Sequence, residues 1–296
     1  MAEHPNVAGK GGRRAMGEAP TSVKRVHVFD HGKLSLDGSM MLFGANLASI
    51  DEPERPAQWW TIPLYSVLVE CEACRILFDT GPHPDSLKRW DPSLLPIEVL
   101  DASEECFLPS RLAEIGLTPD DIDIVVISHM HIDHAGCLEF LRNARVIVHR
   151  DEFRRALEAF ARPDGSIAYC KADIQACIDI GLQWAPVDAA DADFLLVPGV
   201  KVLNFGPSHA EGMLGLSLQL PETGHIVLAA DACYAKENLG PPPILPGSTL
   251  MVDSVGMVRT NARLVQMMNE EGAEIWFGHD RNQFAQMVKA PHGYYS

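Results

Sequence analysis

Six consecutive positions, His129-Met130-His131-Ile132-Asp133-His134, bring three imidazoles and one carboxylate together. Side chains of these types at this spacing form a metal-ligand cluster. Mixed nitrogen and oxygen donors suit zinc and its first-row neighbours. Three more candidate ligands lie downstream. His209 follows the strand-like run 200–205 across Gly206-Pro207-Ser208, Asp231 ends the run 226–230, and His279 follows the run 274–277 after Gly278. A strand-terminal His or Asp taken singly is usually a cap or a satisfied core residue. Three of them in series after the first cluster make a site. The seven ligands His129, His131, Asp133, His134, His209, Asp231 and His279 exceed the four that a tetrahedral structural zinc takes, so the spacing points to two metals. One division gives His129, His131 and His209 to the first, and Asp133, His134 and His279 to the second, with Asp231 bridging. Such a pair holds a bridging hydroxide and leaves positions open for a substrate oxygen.

The elements that must position these ligands are legible around them. Residues 122–127 are a β-branched apolar run, read as a strand buried on both faces. Ser128 turns the chain and 138–141 begins a helix, so the cluster sits on a loop at the carboxyl end of a buried strand, where α/β folds place their chemistry. Residues 23–29, 64–69, 75–78 and 146–148 also read as strands. Gly116 closes a helix ending at 112–115, residues 152–160 form a charged helix, and 164–184 read as a helical cap of mixed polarity. Asp79, ahead of Thr80-Gly81, either satisfies turn amides or orients a ligand histidine. The apolar but aperiodic stretch 34–60 is read as a core-covering connection, with a pocket wall for an apolar ligand as the alternative. Residues 1–22 lack periodicity and are expected to be a mobile tail. The remainder, 23–296, is expected to be one domain.

Composition narrows the partners. A formal charge of −16 over 296 residues argues against nucleic acid or an anionic membrane surface. No apolar run reaches the length of a membrane span, and no secretory signal is read. The seven cysteines are scattered and odd in number, which favours reduced thiols and a cytoplasmic location. Cys71 and Cys74 form a lone CxxC, read as a hairpin carrying two thiols rather than a zinc knuckle.

With those residues in view, HMHIDH resembles the HxHxDH signature of the metallo-β-lactamase superfamily. The stretches Asp231-Ala232-Cys233-Tyr234-Ala235-Lys236-Glu237-Asn238, Phe277-Gly278-His279-Asp280, Asp37-Gly38-Ser39 and Leu77-Phe78-Asp79-Thr80-Gly81 resemble its N-acyl-homoserine lactonases, quorum-quenching enzymes. The likeness spans about residues 23–285. It implies an α/β four-layer αβ/βα sandwich with the metal site at the strand ends. It also implies two divalent ions per chain, zinc foremost, and a small lactone as substrate, with a homodimer left open. By the same resemblance Tyr234 is the catalytic tyrosine that hydrogen-bonds the substrate carbonyl, and Asp133 relays a proton to the departing ring oxygen. The chain departs from many of these lactonases at Met213, where they carry a second histidine. The alternatives are a hydrolase of another lactone, a thioesterase of the glyoxalase II kind, and a mononuclear iron dioxygenase. Diiron members usually place a carboxylate where His131 stands, and zinc β-lactamases a cysteine where Asp231 lies, which counts against both.

Overall fold

The computed structural model describes residues 21–163, 165–247 and 251–296. The tail expected over 1–22 thus falls almost wholly outside the described residues. Seven strands form the first sheet: β1 (Val23–Asp37), β2 (Trp59–Cys71), β3 (Arg75–Phe78), β4 (Glu98–Asp101), β5 (Ile124–Val126), β6 (Arg145–His149) and β7 (Gln183–Val187). Five form the second: β8 (Phe194–Val197), β9 (Val200–Gly206), β10 (Met213–Leu220), β11 (Gly224–Ala230) and β12 (Glu274–Phe277). The first is ordered β4-β1-β2-β3-β5-β6-β7 and the second β12-β11-β10-β9-β8. Pairing is parallel from β3 through β5 and β6 to β7, and parallel again between β11 and β12.

The side-chain alternation of the strands builds the layers. Val126, Ile76 and Val67 point between the sheets, where they meet Val202, Leu216 and Leu228. Val125, Leu77 and Leu68 point the other way, onto Ala156, Ala159 and Ile174 of the helices Arg150–Ala161 and Lys171–Asp179. A strand covered on both faces has no polar side, which is why β5 reads as a continuous β-branched run. On the far side of the second sheet, Val227, Ala229 and Ile275 pack on Leu264 and Met267 of the helix Ser254–Glu271. Asp253 starts that helix by accepting the amides of Val255 and Gly256, and Gly272 ends it at φ 68°. The result is the expected helix–sheet–sheet–helix sandwich.

Three expectations need correction. β1 does not stop at 29: a register shift between Asp30 and Lys33 lets it run on to Asp37, with Gly32 at φ 91° where a Cβ would stand 2.5 Å from the Asp101 carbonyl oxygen. The region 164–184 is not helical throughout; it holds one helix and then enters β7, an edge strand whose Pro186 disguised it. The helix expected at 138–141 is one 3-10 turn, Leu138–Phe140. Cys71 and Cys74 do flank the β2–β3 hairpin, closed by a 2.9 Å bond from the Cys71 amide to the Cys74 carbonyl. Met213 is buried at the start of β10, in the core between the sheets.

Candidate metal centre and substrate cavity

The seven predicted ligands arrive on four loops, all at the carboxyl ends of strands. β5 delivers His129, His131, Asp133 and His134; β9 leads to His209; β11 ends at Asp231; β12 ends two residues before His279. Backbone bonds draw the loops from the two sheets together. The Leu214 amide donates to the Ser128 carbonyl at 2.9 Å, and the His279 amide to the Tyr234 carbonyl at 2.9 Å. Thr80 clasps the first loop, its amide and hydroxyl both donating to the His134 carbonyl at 2.7 and 2.9 Å. Close approach also constrains sequence. A Cβ on Gly278 would sit 2.6 Å from Asp231 Oδ1, so only glycine lets β12 lie this near the carboxylate.

The structure brings all seven side chains into one cluster, in three overlapping sets whose donor atoms lie within 4.8 Å of one another. These are His129, His131 and His209; His129, His134 and Asp231; and Asp133, His134 and His279. Asp231 stands between the groups. Its Oδ2 is 3.4 Å from His209 Nε2 and 3.8 Å from His129 Nε2, while its Oδ1 is 3.0 Å from His279 Nε2 and 3.2 Å from His134 Nε2. Each oxygen therefore faces a different set. His129 Nε2, His134 Nε2 and Asp231 Oδ1 are buried without a hydrogen bond of acceptable geometry. Buried polar atoms are rarely left so. Three of them converging with their lone pairs free is the arrangement a cation satisfies, and the residues fit a dinuclear centre.

The remote nitrogens are fixed from behind, as metal-binding imidazoles require. Asp79 Oδ2 holds His134 Nδ1 at 2.9 Å and accepts the Ser128 hydroxyl at 2.8 Å; that hydroxyl lies 3.0 Å from His129 Nδ1. Asp79 takes φ 59° to do so, a left-handed conformation that aspartate tolerates better than most residues. It orients a ligand histidine while also capping the Ser128 amide at 2.8 Å, so both roles considered for it are present. The Pro63 carbonyl accepts from His279 Nδ1 at 2.9 Å, and the Tyr234 hydroxyl meets His209 Nδ1 at 2.6 Å.

Electrostatics divides the imidazoles along the same line. Burial, and then mutual repulsion among the rings, pushes His129 and His131 well below the ordinary histidine range, and burial takes His209 down to about 4. At neutral pH these three keep open lone pairs. Burial also opposes charge on His134 and His279, but the surrounding carboxylates, Asp133 and Asp231 among them, outweigh it and raise both. Asp231, despite burial, is held well below the carboxylate range by His279 and His134. Burial and the nearby carboxylates push the Tyr234 phenol well up, so it stays protonated.

Above the cluster opens a cavity whose empty space, part of it open to solvent, is about 520 Å³. His131, Asp133, Asp231, Tyr234 and His279 line its floor; Leu34, Leu36, Met40, Met41, Ile62 and Leu94 line its wall. Part of the stretch 34–60 thus forms a pocket wall, the alternative reading, while Phe43, Leu47 and Ile50 stay exposed. Two residues escaped the sequence reading. Glu98 lines the cavity from β4, and a single Glu between short runs carries no pattern that would have marked it. Glu152, hidden in a charged helix, is fully buried, accepting the Met130 amide at 2.9 Å, the Glu211 amide at 3.1 Å and the Tyr169 hydroxyl at 3.2 Å. It ties two ligand loops together from below.

Comparison with known proteins places this arrangement. Residues 62–279 match the family model of the metallo-beta-lactamase superfamily. The chain is 38% identical over 275 residues to the N-acyl homoserine lactonase AiiB of Agrobacterium fabrum, covering 92% of this chain and 99% of that protein. It is 27% identical over 266 residues to the N-acyl homoserine lactonase AiiA of Bacillus thuringiensis subsp. kurstaki, covering 88% and 95%. Among solved structures, an N-acyl homoserine lactone hydrolase with the product N-hexanoyl-L-homoserine at its catalytic metal centre superposes with a TM-score of 0.75. That match has 27% identity over 92% of this chain and 99% of the other.

Proposed function

Because the chain belongs to the N-acyl homoserine lactonase family of the metallo-beta-lactamase superfamily, we propose that it hydrolyses the ester ring of N-acyl homoserine lactones. The observation that carries this reading is the placement of Asp231, one oxygen toward each ligand set, on the floor of a cavity with an apolar wall. His129, His131 and His209 would hold one divalent ion, and Asp133, His134 and His279 the other, with Asp231 shared between them. When bound, two such ions, zinc in our reading, supply Lewis acidity and a water acidic enough to be a nucleophile at neutral pH.

The chain's own residues do the rest. If His209 turns Nε2 to the metal, its Nδ1 carries the proton and donates to the Tyr234 oxygen 2.6 Å away. The phenol hydrogen is then free for the cavity, where it donates to the substrate carbonyl oxygen as negative charge builds there. A neutral phenol fills that role without a competing proton transfer. Asp133 is the only one of the seven candidate ligands that is not buried. It is placed to hand a proton to the ring oxygen as the ester C–O bond breaks. Water is consumed: its hydroxyl joins the carbonyl carbon, its proton ends on the ring oxygen, and the open N-acyl homoserine leaves as an acid. The Leu and Met side chains of the wall take the acyl chain. One domain from residue 23 onward carries all of this, and the seven free thiols suit a cytoplasmic setting.

The test is ring-opening, followed by acid release, of N-acyl homoserine lactones of graded chain length on protein of known metal content. Turnover with two metals per chain is expected. A protein that carries both metals and opens no such lactone, yet cleaves thioesters, would overturn the substrate assignment.

A further inference from the structure

Glu98 is the one buried carboxylate among the described residues whose side chain makes neither a hydrogen bond nor an ion pair. Its residue is 8% exposed. The others are all engaged. Asp79 holds Ser128 and His134, Glu152 takes two amides and a hydroxyl, Asp173 pairs with Arg89 at 2.8 Å, Asp280 caps the turn after it, and Asp231 faces four imidazoles. Its carboxyl oxygens are not sealed within the protein but face the cavity, where they are open to whatever enters it. Glu98 has reason to be where it is. It opens β4 opposite Leu36 of β1, and the inward face of that pair is the cavity wall. The rest of this wall is hydrocarbon. Burial, followed by the charge of Asp133 and against the pull of His279, raises its carboxyl to about 7. The cavity therefore holds one polar contact point away from the ligands and Tyr234.

Resting on the lactonase reading, we propose that Glu98 is a specificity-determining residue: one of its carboxyl oxygens accepts the amide N–H that an N-acyl-α-amino lactone carries next to the ring. That N–H is the only hydrogen-bond donor such a substrate has. A carboxyl accepts through an oxygen whether or not it is ionised, so the contact survives on both sides of neutrality. An apolar chain attached without the amide would leave Glu98 buried and unanswered, and such a mismatch discriminates strongly between substrates.

The experiment compares two substrates that differ in one atom: a hexanoylamino-γ-butyrolactone and its hexanoyloxy counterpart, in which oxygen replaces N–H. On the wild-type holoenzyme kcat/KM for the amide should exceed that for the ester by about tenfold to a hundredfold. In Glu98→Leu the amide should lose that factor and the ester should not, bringing the ratio close to one, with metal content unchanged. Glu98→Gln, which keeps an acceptor oxygen, should retain part of the preference. Equal kcat/KM for both substrates on wild type would overturn the proposal even if Glu98→Leu fails to fold. So would an equal loss for both substrates in a folded, metal-replete Glu98→Leu, which would mark Glu98 as structural. Failure of the wild type to open either lactone would be read in its own arm and would sink the lactonase reading together with this one.

Discussion

The floor and the wall of the cavity are built on different principles. On the floor every ligand sits at a strand end, every loop is bonded to another, and four of the five imidazoles have their far nitrogen held by a partner: Asp79, Ser128, Pro63 or Tyr234. The wall consists of Leu, Met and Ile side chains from the bulged end of β1, a short helix, β2 and the turn before β4, with Glu98 of the edge strand β4 as its single polar member. The floor has little freedom because its chemistry tolerates only one geometry. The wall packs on Ile132 and Tyr234 but makes none of the bonds that hold the imidazoles. Reaction type and substrate choice should thus be separable, and mutations should divide accordingly.

The largest effect should come from the residue both ligand sets share. Asp231→Ala, or removal of metal with a chelator, should bring lactone hydrolysis down to background. Metal analysis should show both ions lost in the variant, and re-addition should restore only the chelated wild type. Next is Tyr234→Phe, which removes one donor to the developing oxyanion. It should lower kcat about a hundredfold while metal content stays at the wild-type level; an equal loss of metal would defeat the role assigned to the phenol.

The foundation of the floor should respond to acid. His31 lies under Gly81, where a Cβ would come 2.5 Å from its ring, and it bonds the Ser66 hydroxyl at 2.7 Å and the Cys106 carbonyl at 2.6 Å. Burial lowers it to about 4, against 6.5 when exposed. Between those values the unfolded chain binds a proton the folded one refuses, so stability falls as pH drops from 6.5 toward 4, by about 3 kcal/mol for this group. Urea unfolding across that range should give a shallower pH slope in His31→Gln than in wild type. The smallest effect belongs to the wall. Leu36→Phe should cut kcat/KM for long acyl chains about tenfold relative to short ones, with metal content and Tyr234 dependence unaltered. A uniform loss at every chain length would show that wall and floor are not separable after all.

How much of this could be read beforehand follows the same division. The floor was legible because ligand types are rare, their spacing on one loop is tight, and each later ligand ends an apolar strand. The layered fold was legible for a related reason, since β5 is apolar on both faces and must be covered on both. The wall was not. β1 breaks its alternation at Asp30-His31-Gly32 and resumes after a bulge, so the strand that carries Leu34 and Leu36 looked like loop. β7 contains Pro186, which only an edge position allows. Glu98 and Glu152 are ordinary surface-type residues until the chain folds, and nothing local distinguishes a buried glutamate from an exposed one.

The four loops that carry the ligands also set a schedule. His129 and His209 follow strands of different sheets, and His279 follows the final strand, β12, which pairs only with β11. The two ligand sets cannot both be complete until residue 279 has been made. Only contacts distant in sequence complete them, and such contacts form late in folding. A chain that has not emerged past residue 279 presents the four clustered candidate ligands of residues 129–134 without the partners that close the site, whereas the finished one presents all seven. Assembly of the full site therefore follows synthesis of the last strand.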